Sequence, residues 1–122
     1  MNALAVPSKP GIAGYYKAPY ITNACGYKLS NATNFFAAIG DELWDDGRSC
    51  GQILEVTCVG ATNEGVKHPC IEPRLKEQVT VIDHCIGCNG ANVADFLLSE
   101  EAFRNSADID AGSIKVEYEL LD

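Results

Sequence analysis

The sequence predicts an all-β fold with two short helices, closed into a small barrel and braced by disulfides. Three observations lead to this prediction. Short runs of alternating apolar and polar residues recur along the chain, separated by turns rich in Gly, Asn and Pro. Six cysteines occur in only 122 residues, a density typical of small proteins from oxidising compartments. Closure removes exposed strand edges, which favours a barrel over a sandwich.

Five strands are predicted from the hydrophobic pattern. The first is a glycine-punctuated strand, the second and third are rich in β-branched residues, the fourth is short, and the last has the clearest alternation. They are expected over residues 11–16, 52–59, 78–84, 93–97 and 113–121.

Two helices are predicted between these strands. The first covers residues 35–45, with Asn34 as its cap and with Phe35, Ile39 and Leu43 forming an apolar stripe at a spacing of four residues. The second begins after Ser99, where glutamates lie near the positive end of the helix dipole. Phe103 is expected to anchor that helix in the core.

Composition and charge limit the possible partners. Hydrophobic residues make up 47% of the chain, enough to bury one core in one domain. The formal net charge of −8 leaves no basic face for phosphates, so neither nucleic acid nor an anionic membrane surface is an expected partner. No apolar run approaches the roughly 20 residues of a membrane span. We expect a flexible N-terminal leader at 1–10, a single domain at 11–122, and a monomer.

The third predicted strand ends in residues whose side chains could take part in catalysis or ligand binding. Val79 and Val81 are expected to share a face with Asp83, because side chains on a strand alternate. Asp83 is then either a groove residue or an acceptor for backbone N–H groups of a nearby loop. Asp95, on a strand that flanks the same cysteine turn, is expected to lie near it. Two such carboxylates would be the requirement for a glycosidase.

The remaining polar and aromatic residues favour structural interpretations. The pair Cys85 and Cys88 next to His84 lacks the context of a thioredoxin motif and the second pair of a zinc site, so a local disulfide is expected. Tyr15, Tyr16 and Trp44 would stack on sugar rings if exposed, although core packing is favoured for Trp44. No phosphate loop or nucleotide fingerprint occurs. Neither a metal site nor a cofactor is expected.

Short motifs in a fixed order resemble a known family. They lie at 24–27 (ACGY), 43–47 (LWDDG), 49–51 (SCG), 56–58 (VTC), 68–70 (HPC), 79–88 (VTVIDHCIGC) and 98–103 (LSEEAF). This ordered set resembles the expansin-like domain. It is most similar to plant natriuretic peptides, also called blight-associated expansin-like proteins, and the similarity covers residues 11–121.

The resemblance implies both a fold and a function. It implies a six-stranded double-psi β-barrel, secreted to the apoplast or cell wall. Six cysteines alone permit fifteen pairings, and the resemblance selects Cys25–Cys50, Cys58–Cys70 and Cys85–Cys88. It further implies an extracellular signal that affects water and ion homeostasis and stress responses through a cell-surface receptor. The alternative is a wall-loosening protein or a binder of cell-wall polysaccharide.

Departures from the family pattern affect the expected chemistry. Gly14 stands where the expansin groove has a threonine, Asp83 is kept, and Leu97 replaces a second aspartate. Tyr16, Asp83 and Asp95 are the predicted groove residues, with Asp95 as a substitute for the aspartate lost at Leu97. Related family 45 endoglucanases carry a further catalytic aspartate near the first strand, where this chain reads Gly-Tyr-Tyr. We therefore expect no catalytic residue and no enzymatic activity.

One modification site is also predicted. Asn31-Ala32-Thr33 is an acceptor sequon, so a secreted eukaryotic chain would carry a glycan at Asn31 if the sequon is used.

Overall fold

The computed structural model describes residues 8–20, 22–28, 35–62, 66–88 and 94–121. Six strands form a closed barrel: β1 (Lys9–Tyr16), β2 (Phe36–Ile39), β3 (Ile53–Ala61), β4 (Glu77–His84), β5 (Phe96–Ser99) and β6 (Ile114–Leu121). Two short α-helices lie between strands: α1 (Asp41–Trp44) and α2 (Glu100–Ser106). The predicted fold class is confirmed. Neither helix has the length and apolar character that crossing a bilayer requires, within the ranges described.

The barrel combines parallel and antiparallel pairs. Around the barrel the strands follow the order β1-β5-β2-β4-β3-β6. The pairs β1–β5 and β2–β4 are parallel, and the other pairs with a described register are antiparallel.

The barrel interior is filled by one side-chain face of each strand. Leu54, Val56 and Cys58 alternate inward along β3 and are almost fully buried, as the pattern predicts. Helix α2 closes one end with Phe103, which is completely buried and contacts the ring of Tyr15 at a centroid distance of 5.1 Å. Each large buried side chain contributes about 1.5–3 kcal/mol relative to exposure, so this face accounts for much of the fold's stability.

Three disulfides fasten the loops to the barrel. The pairs are Cys25–Cys50, Cys58–Cys70 and Cys85–Cys88, with Cα atoms 5.6, 5.5 and 5.5 Å apart. The pairing implied by the family resemblance is thus confirmed. Cys25 also donates its backbone N–H to Ile82 at 3.0 Å, so the segment around it is held against β4 by both a covalent bond and a hydrogen bond.

The helix predicted over residues 35–45 was wrong in its first half. Residues Phe36–Ile39 form strand β2, and the helix is limited to Asp41–Trp44. The spacing of Phe35, Ile39 and Leu43 suggested a stripe, but all four residues of β2 are buried. A segment buried on both faces is typical of a strand with a parallel partner. Such a strand shows no alternation of apolar and polar residues, so its sequence does not distinguish it from a helix.

Other boundaries differ from the prediction by a few residues. Strand β1 begins at Lys9 rather than Gly11, so the end of the expected leader is part of the barrel. Strand β5 begins at Phe96 rather than near residue 93. The rest of the leader, residues 1–7, and the glycosylation site Asn31 lie outside the described residues.

Ser99 precedes α2 as predicted but does not cap it with its side chain. Its hydroxyl accepts the backbone N–H of Phe36 at 3.1 Å. The N–H of Glu100 instead donates to the hydroxyl of Tyr20 at 3.2 Å. A tyrosine from a distant loop therefore satisfies the start of the helix, a contact that no local sequence signal indicates.

Candidate functional site

Four residues on neighbouring strands form a row across the outside of the barrel. Gly14 of β1 pairs with Leu97 of β5, Leu97 pairs with Ala38 of β2, and Ala38 pairs with Asp83 of β4. Their strand neighbours, such as Tyr15, Leu98 and Ile39, belong to the interior core, so the four residues of this outer row face away from it. The outer row brings together the positions at which the sequence departs from, or keeps, the expansin groove pattern.

The outward direction of Asp83 results from a bulge in β4. The register between β2 and β4 shifts after the pair of Ala37 and Val81, and Ile82 is the additional residue. Val79 and Val81 remain in the core, while Asp83 is partly exposed on the outside. The prediction that Asp83 shares a face with these valines was wrong, because the bulge interrupts the alternation.

Asp83 accepts hydrogen bonds from two backbone groups. Its Oδ1 accepts the N–H of Ala24 and the N–H of His84, both at 2.9 Å. The first of these contacts ties the loop that contains Cys25 to the end of β4. Asp83 is therefore a structural acceptor, one of the two roles that the sequence allowed. It is also a partly exposed member of the outer row.

Tyr16 lies next to Asp83 and has a buried hydroxyl. Within the described ranges this hydroxyl has no hydrogen-bond partner. Burial raises the pKa of the Tyr16 phenol, and the charge of Asp83 raises it further, so the group stays protonated. The Tyr16 ring packs edge-on against Tyr20 at 5.0 Å, and Tyr20 packs against Phe36 at 5.6 Å. An aromatic cluster with Ile82 thus supports this side of the outer row.

Asp95 does not join the outer row. Its Oδ2 accepts the N–H of Ile12 at 2.7 Å, and a Cβ at Gly11 would lie 2.9 Å from the same oxygen and 2.8 Å from the Tyr118 ring. Burial raises the pKa of Tyr118, and Asp95 raises it further. Of the predicted groove residues, the structure brings Tyr16 and Asp83 together, whereas Asp95 contacts another part of β1. Asp95 therefore does not take the place in the outer row that Leu97 occupies.

Leu97 and Gly14 occupy shared space. A Cβ added to Gly14 would meet Leu97 Cδ2 at 3.0 Å, which is closer than carbon atoms pack without adjustment. The absence of a side chain at residue 14 therefore makes room for the leucine. Gly14 and Leu97 are therefore sterically coupled, and neither contributes a polar side chain to the outer row.

A second polar cluster follows Asp83 directly. His84 Nε2 lies 2.8 Å from Asp41 Oδ1, and the His84 ring stacks on Trp44 with centroids 4.5 Å apart and planes 7° from parallel. The cluster holds α1 against the end of β4. Packing was the favoured role for Trp44, whereas the contact between Asp41 and His84 was missed because the two residues are 43 positions apart.

The described residues contain no group of three or more His, Cys, Asp or Glu side chains that is arranged to hold a metal ion. In the outer row, Asp83 is the one ionisable residue. Hydrolysis of a glycosidic bond by the usual route requires two carboxyl groups that flank the bond. The outer row supplies one carboxylate, which can bind hydroxyl groups but does not form that pair.

Comparison with known proteins places this geometry in a family. Residues 37–118 match the model of the double-psi β-barrel family described as "Lytic transglycolase". An "EG45-like domain containing protein" of Citrus jambhiri is 39% identical over 116 residues, covering 93% of this chain and 82% of the relative. A "Putative EG45-like domain containing protein 1" of Arabidopsis thaliana is 40% identical over 110 residues, covering 89% of this chain and 80% of that protein.

Solved structures share the fold. An apo expansin of Clavibacter michiganensis superposes with a TM-score of 0.73 and 25% identity. A mutant of that expansin in complex with cellohexaose gives a TM-score of 0.69 at 27% identity. This chain is covered to 94% in each case and spans half of the expansin's length.

A GH45 endoglucanase mutant in complex with cellobiose supports the barrel fold alone, since it is 14% identical. Its TM-score is 0.61, with 92% of this chain and 81% of the endoglucanase covered. The match to the family model covers most of the barrel, and the plant relatives extend over nearly the whole chain. This chain belongs to the double-psi β-barrel family and, within it, is an expansin-like protein of the EG45-like domain type.

Proposed function

We propose that this protein is a secreted, non-enzymatic, expansin-like extracellular signal that acts in the cell wall space on water and ion homeostasis through a cell-surface receptor. The observation that carries the non-enzymatic part is the outer row, in which Leu97 and Gly14 leave Asp83 as the one carboxylate. Secretion is supported by the three disulfides, which persist in oxidising compartments.

Catalysis is disfavoured because the outer row offers Asp83 no second carboxyl group among the residues that the structure describes. General acid–base cleavage of a glycoside needs one protonated and one ionised carboxyl group. The Tyr16 phenol does not replace the second group, because burial and Asp83 raise its pKa and hold its proton. Asp95 is bonded to Ile12 on another part of β1. The surface thus suits recognition without bond cleavage.

The signalling role is tested on isolated plant protoplasts. The purified, oxidised protein should change protoplast volume, while the same protein after reduction and alkylation should have no effect, because its three disulfides hold the loops in place. When the same protein is incubated with wall polysaccharide, the concentration of reducing sugar should not rise. An unchanged protoplast volume with the native protein would refute the signalling proposal.

Binding of a cell-wall glucan is a second candidate, favoured by the partly exposed Tyr16 and Asp83. The Tyr16 hydroxyl is buried and therefore out of reach of a sugar, so the partly exposed remainder of Tyr16 is what would contact the glucan. Asp83 adds an acceptor, and the similar expansin is known in complex with cellohexaose. On this proposal, the outer row and Tyr16 bind the chain of the polysaccharide.

Retention on insoluble cellulose and xylan distinguishes the two candidates. Glucan binding predicts retention at low salt that falls with Asp83→Asn and is kept in Tyr16→Phe, because the hydroxyl that this variant lacks is buried. The asparagine keeps an oxygen for the N–H groups of Ala24 and His84, so it removes charge without releasing the loop. Elution of the native protein in the unbound fraction would count against glucan binding and leave the receptor proposal in place.

A further inference from the structure

The loop between Cys70 and β4 exposes an unusual amount of apolar surface. Leu75 is 70% exposed and Ile71 is 46% exposed, and exposed Val59 lies beside this loop, because Arg74 Nη1 donates to its carbonyl oxygen at 3.2 Å. Single exposed apolar residues are normal on a protein surface, whereas several at one place indicate contact with another molecule.

This loop is held in place by the rest of the fold. The Cys58–Cys70 disulfide joins its start to β3, and the N–H of Ile71 donates to the carbonyl oxygen of Ser106 at 3.0 Å. Arg74 binds both Val59 and Glu72. A surface that is already ordered loses little conformational entropy when a ligand binds, so the exposed side chains are presented in a fixed arrangement.

The loop encloses a cavity of about 160 Å³ against the end of α2. Its apolar lining comes from Cys58, Ile71, Pro73 and Leu75, and its polar lining from Glu72, Arg74, Asn105 and Ser106. We call it the disulfide-loop pocket. Asn105 and Ser106 are fixed by hydrogen bonds to the buried carboxylate of Glu77. An apolar cavity with a few fixed polar groups is the usual form of a binding site.

We propose that the disulfide-loop pocket binds a polypeptide partner through one apolar side chain and a neighbouring carboxylate. The apolar lining and the cavity volume suit one aliphatic side chain. Arg74 suits the carboxylate, since its guanidinium already binds Glu72 at 2.9 Å in an exposed pair. Exposed ion pairs contribute little stability, so an incoming carboxylate replaces Glu72 at low cost.

The segment around the pocket carries an excess of positive charge. Residues 66–76 hold three basic side chains against one acid, in a chain whose formal net charge is −8. Arg74 lines the pocket together with Glu72, and Lys76 lies 3.7 Å from Glu55, so the excess belongs to the surrounding segment rather than to the lining itself. An acidic polysaccharide would use the charge but has no aliphatic side chain for the cavity, which favours a polypeptide. Asp83 is six residues along β4 from Glu77, about 20 Å at the rise of a strand, so this site is separate from the outer row.

The test uses N-acetyl-leucine, which carries one aliphatic side chain and one carboxylate, titrated into the ¹⁵N-labelled native protein. Shifts of the amide signals of Ile71, Leu75 and Asn105 should saturate with a Kd of about 1–10 mM, as expected for a fragment of this size. Acetylglycine and N-acetyl-leucine amide should each bind at least about fivefold more weakly, because each lacks one of the two groups.

Substitutions locate the site. Arg74→Gln and Leu75→Ser should weaken N-acetyl-leucine binding at least about fivefold. Ile86→Ser, which removes an exposed aliphatic side chain from another loop, and Asp83→Asn should leave it unchanged. Because Leu75 is largely exposed, its variant should keep a native amide spectrum. The proposal is overturned if N-acetyl-leucine causes no saturating shifts, or if trigalacturonate binds the same residues equally well. Neither outcome bears on the outer row.

Discussion

Gly14 and Leu97 show how two substitutions in one place depend on each other. A side chain at residue 14 would lie 3.0 Å from Leu97 Cδ2. The glycine therefore leaves room for a leucine on the neighbouring strand. The resemblance to expansins predicts each departure separately, whereas the strand register shows that the two residues are in contact.

This coupling predicts a non-additive mutant cycle. Gly14→Thr alone should lower the free energy of unfolding by about 1–3 kcal/mol, because it overfills the space beside Leu97. In the Leu97→Ala background the same threonine should lower the free energy of unfolding by a clearly smaller amount. Urea denaturation of the two single variants, the double variant and the parent measures the coupling. Additivity within about 0.5 kcal/mol would show that the two residues do not compete for space.

Tyr16 and Tyr20 form a matched pair for a second prediction. The Tyr16 hydroxyl has no partner in the described part of the chain, whereas the Tyr20 hydroxyl donates to the Tyr16 carbonyl oxygen and accepts from Glu100. Tyr16→Phe should leave the free energy of unfolding unchanged or raise it by up to about 1 kcal/mol. Tyr20→Phe should lower it by about 1–2 kcal/mol. A large loss of stability in Tyr16→Phe would reveal a partner for that hydroxyl.

Helix α2 and strand β4 meet at a buried carboxylate. Glu77 is 5% exposed and is hydrogen-bonded by Ser106 and Asn105. Burial raises the pKa of Glu77, and these two hydrogen bonds oppose the rise only in part. The folded state then binds a proton more tightly than the unfolded state, so this group contributes stability below its unfolded pKa and loses that contribution as the pH rises through its folded pKa.

Glu77→Gln removes this dependence while keeping an acceptor for Ser106. Relative to the variant, the parent protein should lose stability as the pH rises from about 4.5. The measurement is the difference in Tm between the two proteins across the acid to neutral range, with Glu101→Gln, an exposed acid of α2, as the control for one lost charge. A difference that does not change with pH, or one that favours the parent at higher pH, would contradict the assignment.

The elements differ in how far the sequence predicted them. Strands β3 and β6 were predicted closely. One face of each packs in the core and the other faces outward, so apolar and polar residues alternate along the strand. Strand β2 was predicted as a helix because it is buried throughout. The bulge at Ile82 and the cap that Tyr20 provides depend on residues far away in the chain, so no local pattern signals them.

Only part of the membership of the candidate site was predictable, since Asp95 was predicted to belong to it and lies elsewhere. The family resemblance identified Asp83 and Tyr16, and it noted Gly14 and Leu97 as departures. The direction of Asp83 depends on the bulge, and the separation of Asp95 from the outer row depends on its bond to Ile12. The arrangement of Asp41, His84 and Trp44 combines two segments whose proximity only the closed barrel creates.

At the scale of the whole molecule, the disulfides stabilise the barrel to different degrees. The paired cysteines are separated by 25, 12 and 3 positions in the sequence. Restriction of the unfolded chain predicts losses of about 3.5, 3 and 1.5 kcal/mol on removing Cys25–Cys50, Cys58–Cys70 and Cys85–Cys88 in turn. Urea denaturation of paired Cys→Ser variants checks this order. The reverse order would mean that contacts in the native state dominate the effect.

The barrel keeps the family fold, and its outer row carries one carboxylate, Asp83, where cleavage of a glycosidic bond by the usual route requires a pair. Mass spectrometry of cellohexaose after prolonged incubation with the native, oxidised protein tests this claim most directly, because it detects both hydrolysed and anhydro products. The account predicts intact cellohexaose throughout. Shorter oligosaccharides that accumulate with the native protein, and fail to accumulate with Asp83→Asn, would contradict it.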